Sequence, residues 1–293
     1  DILEVKPQAF ACDLHPDFFT TRLAQKLSSR YDAPLFAVQH HHAHAAAVAC
    51  EYGIEGPYAA LTLDGVGLGL NQEIWGCELL TCDAPGAEGS FVRVGHLEDM
   101  AMPGGDKAAR EPWRMGASLL ALCQKDDLIE KFWPQHAHLP MAALIHNERL
   151  TRRTSSAGRL FDGVSALAGL CEAQQDEAYA AMLLETAAEG SLERPYPVLA
   201  DGWQISDKGV LSLRPLLGLI IEMLQNDRSR KTASRASALF HGTLAAALAA
   251  WVNARTDASL PVVLAGGTFL NRFLASEVAA RLKAFGRLAY LPR

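Results

Sequence analysis

The chain has 293 residues, 49% of them apolar and 20% charged, the balance of a soluble globular protein with room for two domains or for one domain of two lobes. Its formal net charge of −6 argues against a broad nucleic-acid surface, although Arg110, Arg114, Arg152, Arg153 and Arg159 remain as a local basic patch. No run of about 18 apolar residues is present, so no membrane span is expected.

A short strand is predicted over Ala9–Cys12, after a loop from Ile2. A helix follows from Pro16, with Phe18, Phe19, Leu23 and Leu27 near helical spacing, and it ends before Pro34. Leu35–Val38 reads as a buried strand. An Ala-rich helix then opens on a histidine cluster and stops at Gly53. Tyr58–Asp64 reads as a strand that runs into Gly65, Gly67 and Gly69, with Ile74–Cys82 as its hairpin partner. Residues 83–107 read as loop-rich, punctuated by Pro103-Gly104-Gly105. Helical patterning dominates from Arg110 to Glu189, is broken over 190–215 by Pro195, Pro197 and Pro215, and resumes from Leu216. Near the end, Leu260–Ala265 is an apolar strand, Gly266-Gly267 a turn, and a helix runs to Phe285 with Gly286 as its stop. Arg287–Leu291 is a last strand. A strand–glycine–helix–strand unit of this kind marks an α/β sheet that takes a ligand at its strand ends.

Three motifs carry chemistry. In Gln39-His40-His41-His42-Ala43-His44, the histidines at 40 and 44 lie one turn apart on one helix face. Two neutral imidazoles so placed can chelate a divalent metal, if a carboxylate, water or substrate oxygens complete the site. The other reading is a polar helix start with capping histidines. His41 and His42 point elsewhere and read as solvent-facing or as supports for the pair. In Leu63-Asp64-Gly65-Val66-Gly67-Leu68-Gly69, an acid at a strand end precedes glycines whose N–H groups can approach a phosphate, while Asp64 can position a metal or a water. A plain hairpin turn also fits. In Gly266-Gly267-Thr268-Phe269-Leu270-Asn271, paired glycines before a helix N-terminus suit a nucleotide, with Asn271 within reach of a base or ribose. A tight strand–helix turn is the alternative. Asp162 sits in an apolar helical stretch and needs a partner: a ribose hydroxyl, Arg159 or a helix cap. The six cysteines show no CxxC spacing and read as reduced and mostly buried, as in the cytoplasm. Walker A, GxSxG and HExxH sequences are absent.

Taken in order, these stretches resemble the HypF family of hydrogenase-maturation carbamoyltransferases, in its carboxy-terminal, TsaD-like domain. The resemblance runs through Asp13-Leu14-His15-Pro16-Asp17, Gln39–His44, Leu63–Gly69 with Ile74-Trp75-Gly76 and Glu78, Pro103–Met115, Thr154–Asp162, Phe240-His241 and Gly266–Asn271. It implies an actin-like (ASKHA, ribonuclease H-like) α/β fold of two lobes with helical insertions. Residues 1–57 would be part of lobe I without its first strands, and 58–293 would be lobe II with a helical insertion at about 108–160. It further implies that His40 and His44 hold a metal and act with Asp64 in catalysis. Asp64, Gly65 and Gly67 would face phosphate, Asp162 and Glu177 the ribose, and Gly266, Gly267 and Asn271 the adenosine. The metal would be zinc or iron, with magnesium left open. Carbamoyl phosphate and ATP would give carbamoyl-adenylate, and the carbamoyl group would pass to the carboxy-terminal cysteine of HypE, on its way to a cyanide ligand of nickel–iron hydrogenase. No membrane or nucleic-acid partner is implied.

The chain departs from the family pattern where Ala178-Tyr179 replaces a glycine and a glutamine beside Glu177, and where Leu70-Asn71-Gln72 replaces an Asp-Gly. It stops at Arg293, just before an Asp-Gly-Gly segment whose Asp completes the family's metal site, so weaker metal binding is expected. The chain reads as a fragment of that pattern, and no counterpart of the family's acylphosphatase, zinc-finger and YrdC-like domains is expected within it. Related readings are a TsaD-, NodU- or TobZ-like transferase acting on tRNA or a small-molecule hydroxyl, an actin-like ATPase or sugar kinase, and a docking module. The paired histidines have no role in a kinase or heat-shock-type ATPase.

Overall fold

The computed structural model describes residues 6–84, 90–191 and 193–292. The loop expected over residues 2–5, part of the loop expected after residue 83, and the chain end at Arg293 lie outside the described residues.

Strand β1 (Phe10–Asp13), helix α1 (Phe19–Tyr31) and strand β2 (Leu35–Val38) come first, and the two strands pair in parallel as a small sheet. Helix α2 (His40–Glu51) leads to the long hairpin β3 (Tyr58–Leu68) and β4 (Ile74–Cys82). Strands β5 (Phe91–Leu97) and β6 (Met100–Met102) follow, then helices α3 (Asp106–Arg110), α4 (Pro112–Leu122), α5 (Ile129–Phe132) and α6 (Met141–His146). Strand β7 (Arg152–Thr154) precedes α7 (Ala157–Leu167) and α8 (Tyr179–Glu189). The remainder is β8 (Gln204–Ile205), β9 (Val210–Ser212), α9 (Arg214–Asn226), α10 (Arg230–Arg255), β10 (Val262–Ala265), α11 (Arg272–Ala284) and β11 (Ala289–Tyr290).

The large sheet runs β11-β10-β3-β4-β5-β9-β8, with β7 beside β4 and β6 paired to β7. Its centre is the antiparallel meander β3-β4-β5, extended by β10 and β11 parallel to β3. The α/β expectation is therefore met by a mixed sheet with helices on both faces. On one face α2 packs through Ala45, Val48 and Ala49 against Tyr58, Ala60, Leu80, Val263 and Ala265. Small alanines let the helix lie close to the sheet, and burying Val48 alone contributes about 1.5–3 kcal/mol. The other face carries the main core, where α4, α7 and α10 bury Trp113, Phe161, Phe240 and Trp251.

Three expectations need correction. Leu35–Val38 is a strand but not a buried one: Phe36 is 58% exposed, because β2 pairs only with β1 among the described residues. Residues 83–107 contain β5 and β6; Phe91, Arg93 and Gly95 alternate along a strand that Gly95 lets pass close to Trp251. Of the six cysteines, only Cys77, Cys82 and Cys171 are buried, and all six are free.

Candidate functional site

Strand β3 does not end at Asp64. It continues to Leu68, but its pairing with β4 jumps from Leu63↔Cys77 to Gly67↔Trp75. Asp64, Gly65 and Val66 therefore face Gly76 alone, a bulge that lifts Asp64 and Gly65 out of the ladder. Gly76 accommodates it: a Cβ there would meet the Asp64 carbonyl at 2.7 Å. The bulge is tied to the next element by Ser156, which caps α7 by accepting from the Arg159 N–H and donates its own hydroxyl to the Gly65 carbonyl at 2.6 Å.

Because α2 begins at His40, its first turn hangs over this bulge. Nε2 of His40 lies 3.1 Å from Oδ2 of Asp64, and Nε2 of His44 lies 3.0 Å from the same oxygen. On the other side of the His40 ring, Nδ1 lies 2.6 Å from Oδ2 of Asp13, at the end of β1. Hydrogen bonding to Asp64, and then to Asp13, holds the His40 imidazolium above its ordinary range against the effect of burial. Burial works to raise the Asp64 carboxyl, but hydrogen bonds from His40, His44 and the Gly65 N–H outweigh it and hold the group well below the usual carboxylate range.

This donor set fits a divalent metal. The ligand atoms of His40, His44 and Asp64 lie within 4.8 Å of one another, and the two N–O separations approach the roughly 3.4 Å edge of a tetrahedron with bonds near 2.1 Å. Asp13 would fix the His40 tautomer with Nδ1 protonated, leaving Nε2 free to bind. With Nδ1 protonated, Nε2 can face a carboxylate oxygen only as an imidazolium or with a cation between them.

Beside the cluster opens a cleft of about 540 Å³. Asp64, Gly65, Asp162, Glu177, Gly267 and Asn271 all line it. Parallel pairing brings Ala265 level with Thr62, so the chain leaves β10 alongside Asp64. A Cβ at Gly267 would stand 3.4 Å from Oδ1 of Asp64. Exposed apolar side chains, Met182 and Leu270, stand at the mouth and suit the face of a base.

Two expected phosphate or adenosine glycines lie elsewhere. A Cβ at Gly67 would fall 2.4 Å from Cε1 of His41 and 2.7 Å from Cδ2 of His40. That glycine makes room for the histidine rings. Gly266 has φ +94°, and its Cβ would meet the Leu63 carbonyl at 2.3 Å, so it serves the approach of β10 to β3. His41 is not solvent-facing: it is fully buried, and burial pushes its imidazole down to about 4. Asn271 is engaged at both ends, its Oδ1 accepting from the Leu274 N–H to cap α11 and its Nδ2 donating to Nε2 of His241 at 3.0 Å. His241 in turn donates Nδ1–H to the Ser237 carbonyl. Of the five arginines expected to cluster, Arg114 pairs with Glu111 and Arg152 donates to the Gln72 carbonyl, whereas Arg110 and Arg159 share a cavity wall.

Asp162 is buried, 2.9 Å from Nη1 of Arg159, and also accepts from Gln174 at 3.2 Å. Burial pushes its carboxyl up to about 6, only partly opposed by Arg159 and Gln174. Asp13, Arg159 and Glu185, which also lines the cleft, were not among the expected site residues. Their positions depend on contacts across the fold, which spacing along the chain does not reveal.

Residues 60–293 match the family model described as "Carbamoyltransferase, Kae1-like Domain, second subdomain", and residues 1–51 match the "HypF Kae1-like domain". Carbamoyltransferase HypF2 of Cupriavidus necator is 41% identical over 97% of this chain and 37% of its own length. A carbamoyltransferase HypF homolog of the same organism is 41% identical over 98% of this chain and 73% of its own. The chain thus spans little more than a third of the first relative. A crystal structure of full-length HypF in the phosphate- and nucleotide-bound form superposes with a TM-score of 0.83 at 28% identity, over 98% of this chain and 37% of that one. The chain belongs to the HypF carbamoyltransferase family and carries its Kae1-like, actin-like domain.

Proposed function

We propose that this domain passes a carbamoyl group from carbamoyl-adenylate, made from carbamoyl phosphate and ATP, to the carboxy-terminal cysteine of HypE. The product would serve the cyanide ligands of [NiFe]-hydrogenase. The observation that carries this reading is that Asp64 belongs both to the histidine cluster and to the cleft. A nucleotide phosphate in the cleft would lie against the metal-type donor set, where an acyl-phosphate bond is to be broken.

A bound metal would supply Lewis acidity and neutralise phosphate charge. The protein's own residues do the rest. The Gly65 N–H already donates to Oδ1 of Asp64 at 2.7 Å, fixing that carboxylate. Asp13 holds the His40 ring, Ser156 holds the bulge, and Met182 and Leu270 offer apolar surface to the face of a base. Asp162, Glu177 and Glu185 offer acceptors to ribose hydroxyls. The nucleophile is brought by the acceptor, so none of the six cysteines is required. In this reading residues 1–57 form part of lobe I and 58–293 form lobe II with the helical insertion at about 108–160, although α2 already rests on the large sheet. The free cysteines support a cytoplasmic setting, and no helix among the described residues is long and apolar enough to cross a membrane.

The test is a transfer assay on the full-length protein with carbamoyl phosphate, ATP and HypE, read as added mass on the terminal cysteine. Modification that disappears on His44→Ala supports the reading; modification of a tRNA base or a hydroxyl in place of the thiol would refute it.

A further inference from the structure

Next to the cleft lies a second, smaller cavity of about 280 Å³. The two share a wall, since Gly65, Arg159, Glu177 and Ala178 line both. Beyond the wall the buried Ile74 and Met102 give an apolar floor, Gln174 is buried in the lining, and the exposed Val66, Asp106, Arg110 and Asp176 form the rim.

Arg159 is the part of the wall with unmet chemistry. It is only 9% exposed. Its Nη1 stands 2.9 Å from Asp162 Oδ2, yet off the hydrogen-bonding angle, so Nε and Nη1 are buried without a hydrogen-bond partner. Buried guanidinium donors are ordinarily satisfied. Residue 65, directly in front, has no side chain; a Cβ there would lie 3.9 Å from Nη2. Arg110, exposed on the rim, makes no ion pair or hydrogen bond through its guanidinium among the described residues.

We propose that the smaller cavity seats the acceptor, the cysteine end of a polypeptide, and that Arg159 donates to the oxygen of the carbamoyl group in transit. This rests on the carbamoyl-transfer reading above. Donor and acceptor atoms must meet within about 3–3.5 Å, and the wall at Gly65 and Arg159 is where the two cavities adjoin. The apolar floor suits a thiol side chain. Arg110 suits the single carboxylate that ends a polypeptide, while Asp106 and Asp176 on the rim and Glu177 on the shared wall disfavour a longer acidic tail. In the step, sulfur attacks the carbamoyl carbon and a C–S bond forms. The bond from that carbon to the phosphate oxygen breaks, AMP leaves with the electron pair, and the thiol proton passes to water at the open rim. As the carbon becomes tetrahedral, charge gathers on the carbamoyl oxygen that faces Arg159.

The experiment uses the full-length protein with carbamoyl phosphate, ATP and a short synthetic peptide ending in cysteine, as free acid or amide. Thiocarbamate on the peptide is followed by mass spectrometry, and AMP binding by calorimetry. Ala109 lines the smaller cavity and not the cleft, so Ala109→Leu, which narrows that cavity alone, is expected to raise the peptide KM about tenfold or more while AMP affinity stays within about twofold. Arg159→Gln is expected to lower kcat by about 10²–10³-fold, with part of the loss restored in Arg159→Lys. Amidation should raise the peptide KM in the wild type and not in Arg110→Ala. If the wild type transfers to the peptide and Ala109→Leu leaves its KM unchanged, the acceptor enters elsewhere and the proposal fails alone. If the wild type makes no thiocarbamate, the carbamoyl-transfer reading fails and takes the proposal with it.

Discussion

Nε2 of His44 lies 3.0 Å from Oδ2 of Asp64, the same oxygen that His40 approaches from the turn before. One carboxylate oxygen shared by two imidazoles is a place for a cation. Asp13 extends the chain of contacts by holding Nδ1 of His40. Replacing Asp13 by Asn keeps the shape and removes the charge that orients the ring. The expected result is a 10–100-fold loss of zinc affinity, measured by competition with a chromophoric chelator.

Gly67 lies against the rings of His40 and His41. Gly67→Ala should overpack that contact and cost about 1–3 kcal/mol in denaturant unfolding. It should also weaken metal binding. A residue that merely faced phosphate would instead lose nucleotide affinity at unchanged stability.

Ala178 takes φ +61°, a left-handed conformation that costs an L-residue about 1–2 kcal/mol. Ala178→Gly should stabilise the protein by about 1 kcal/mol and raise its melting temperature by about 2–4 °C.

Burial lowers the His241 imidazole from its ordinary 6.5 to about 4. The unfolded chain therefore takes up a proton below pH 6.5 that the folded chain refuses. The folded state is penalised progressively as pH falls from 6.5 to about 4, by about 3 kcal/mol in all. His241→Gln should show a shallower acid loss of stability in urea melts over that window. Removing the partner by Asn271→Ala should cost about 1 kcal/mol for the lost cap, and more for the orphaned imidazole.

The helical spacing of His40 and His44 was legible because an i, i+4 pair shares a face whatever the tertiary context. Asp64 and the glycine turn after β10 were picked out by Asp-Gly and Gly-Gly strings that fit plain turns equally well; the bulge in β3 and the parallel pairing of β10 with β3 are what bring them side by side. Gly67 was not: its neighbours His40 and His41 come from another element, and the Asp-Gly-Val-Gly string looks alike whether the glycines admit a phosphate or an imidazole. His41 was misplaced for a related reason, since helical periodicity fixes the face of α2 but not how deeply its first turn sits against β3. Asp13 and Arg159 gain their roles across 27 and 94 positions of sequence, from His40 and Gly65, and no local pattern carries that. Strands β5 and β6 were hidden by the turn residues around them.

The central claim is that one carboxylate joins a metal to a nucleotide. The direct measurement is calorimetric titration of AMP into the full-length protein, with and without zinc, for the wild type and for His40→Ala/His44→Ala. The account predicts AMP binding that zinc strengthens in the wild type and leaves unaltered in the double variant. Equal AMP affinity in both proteins, with and without zinc, would contradict it.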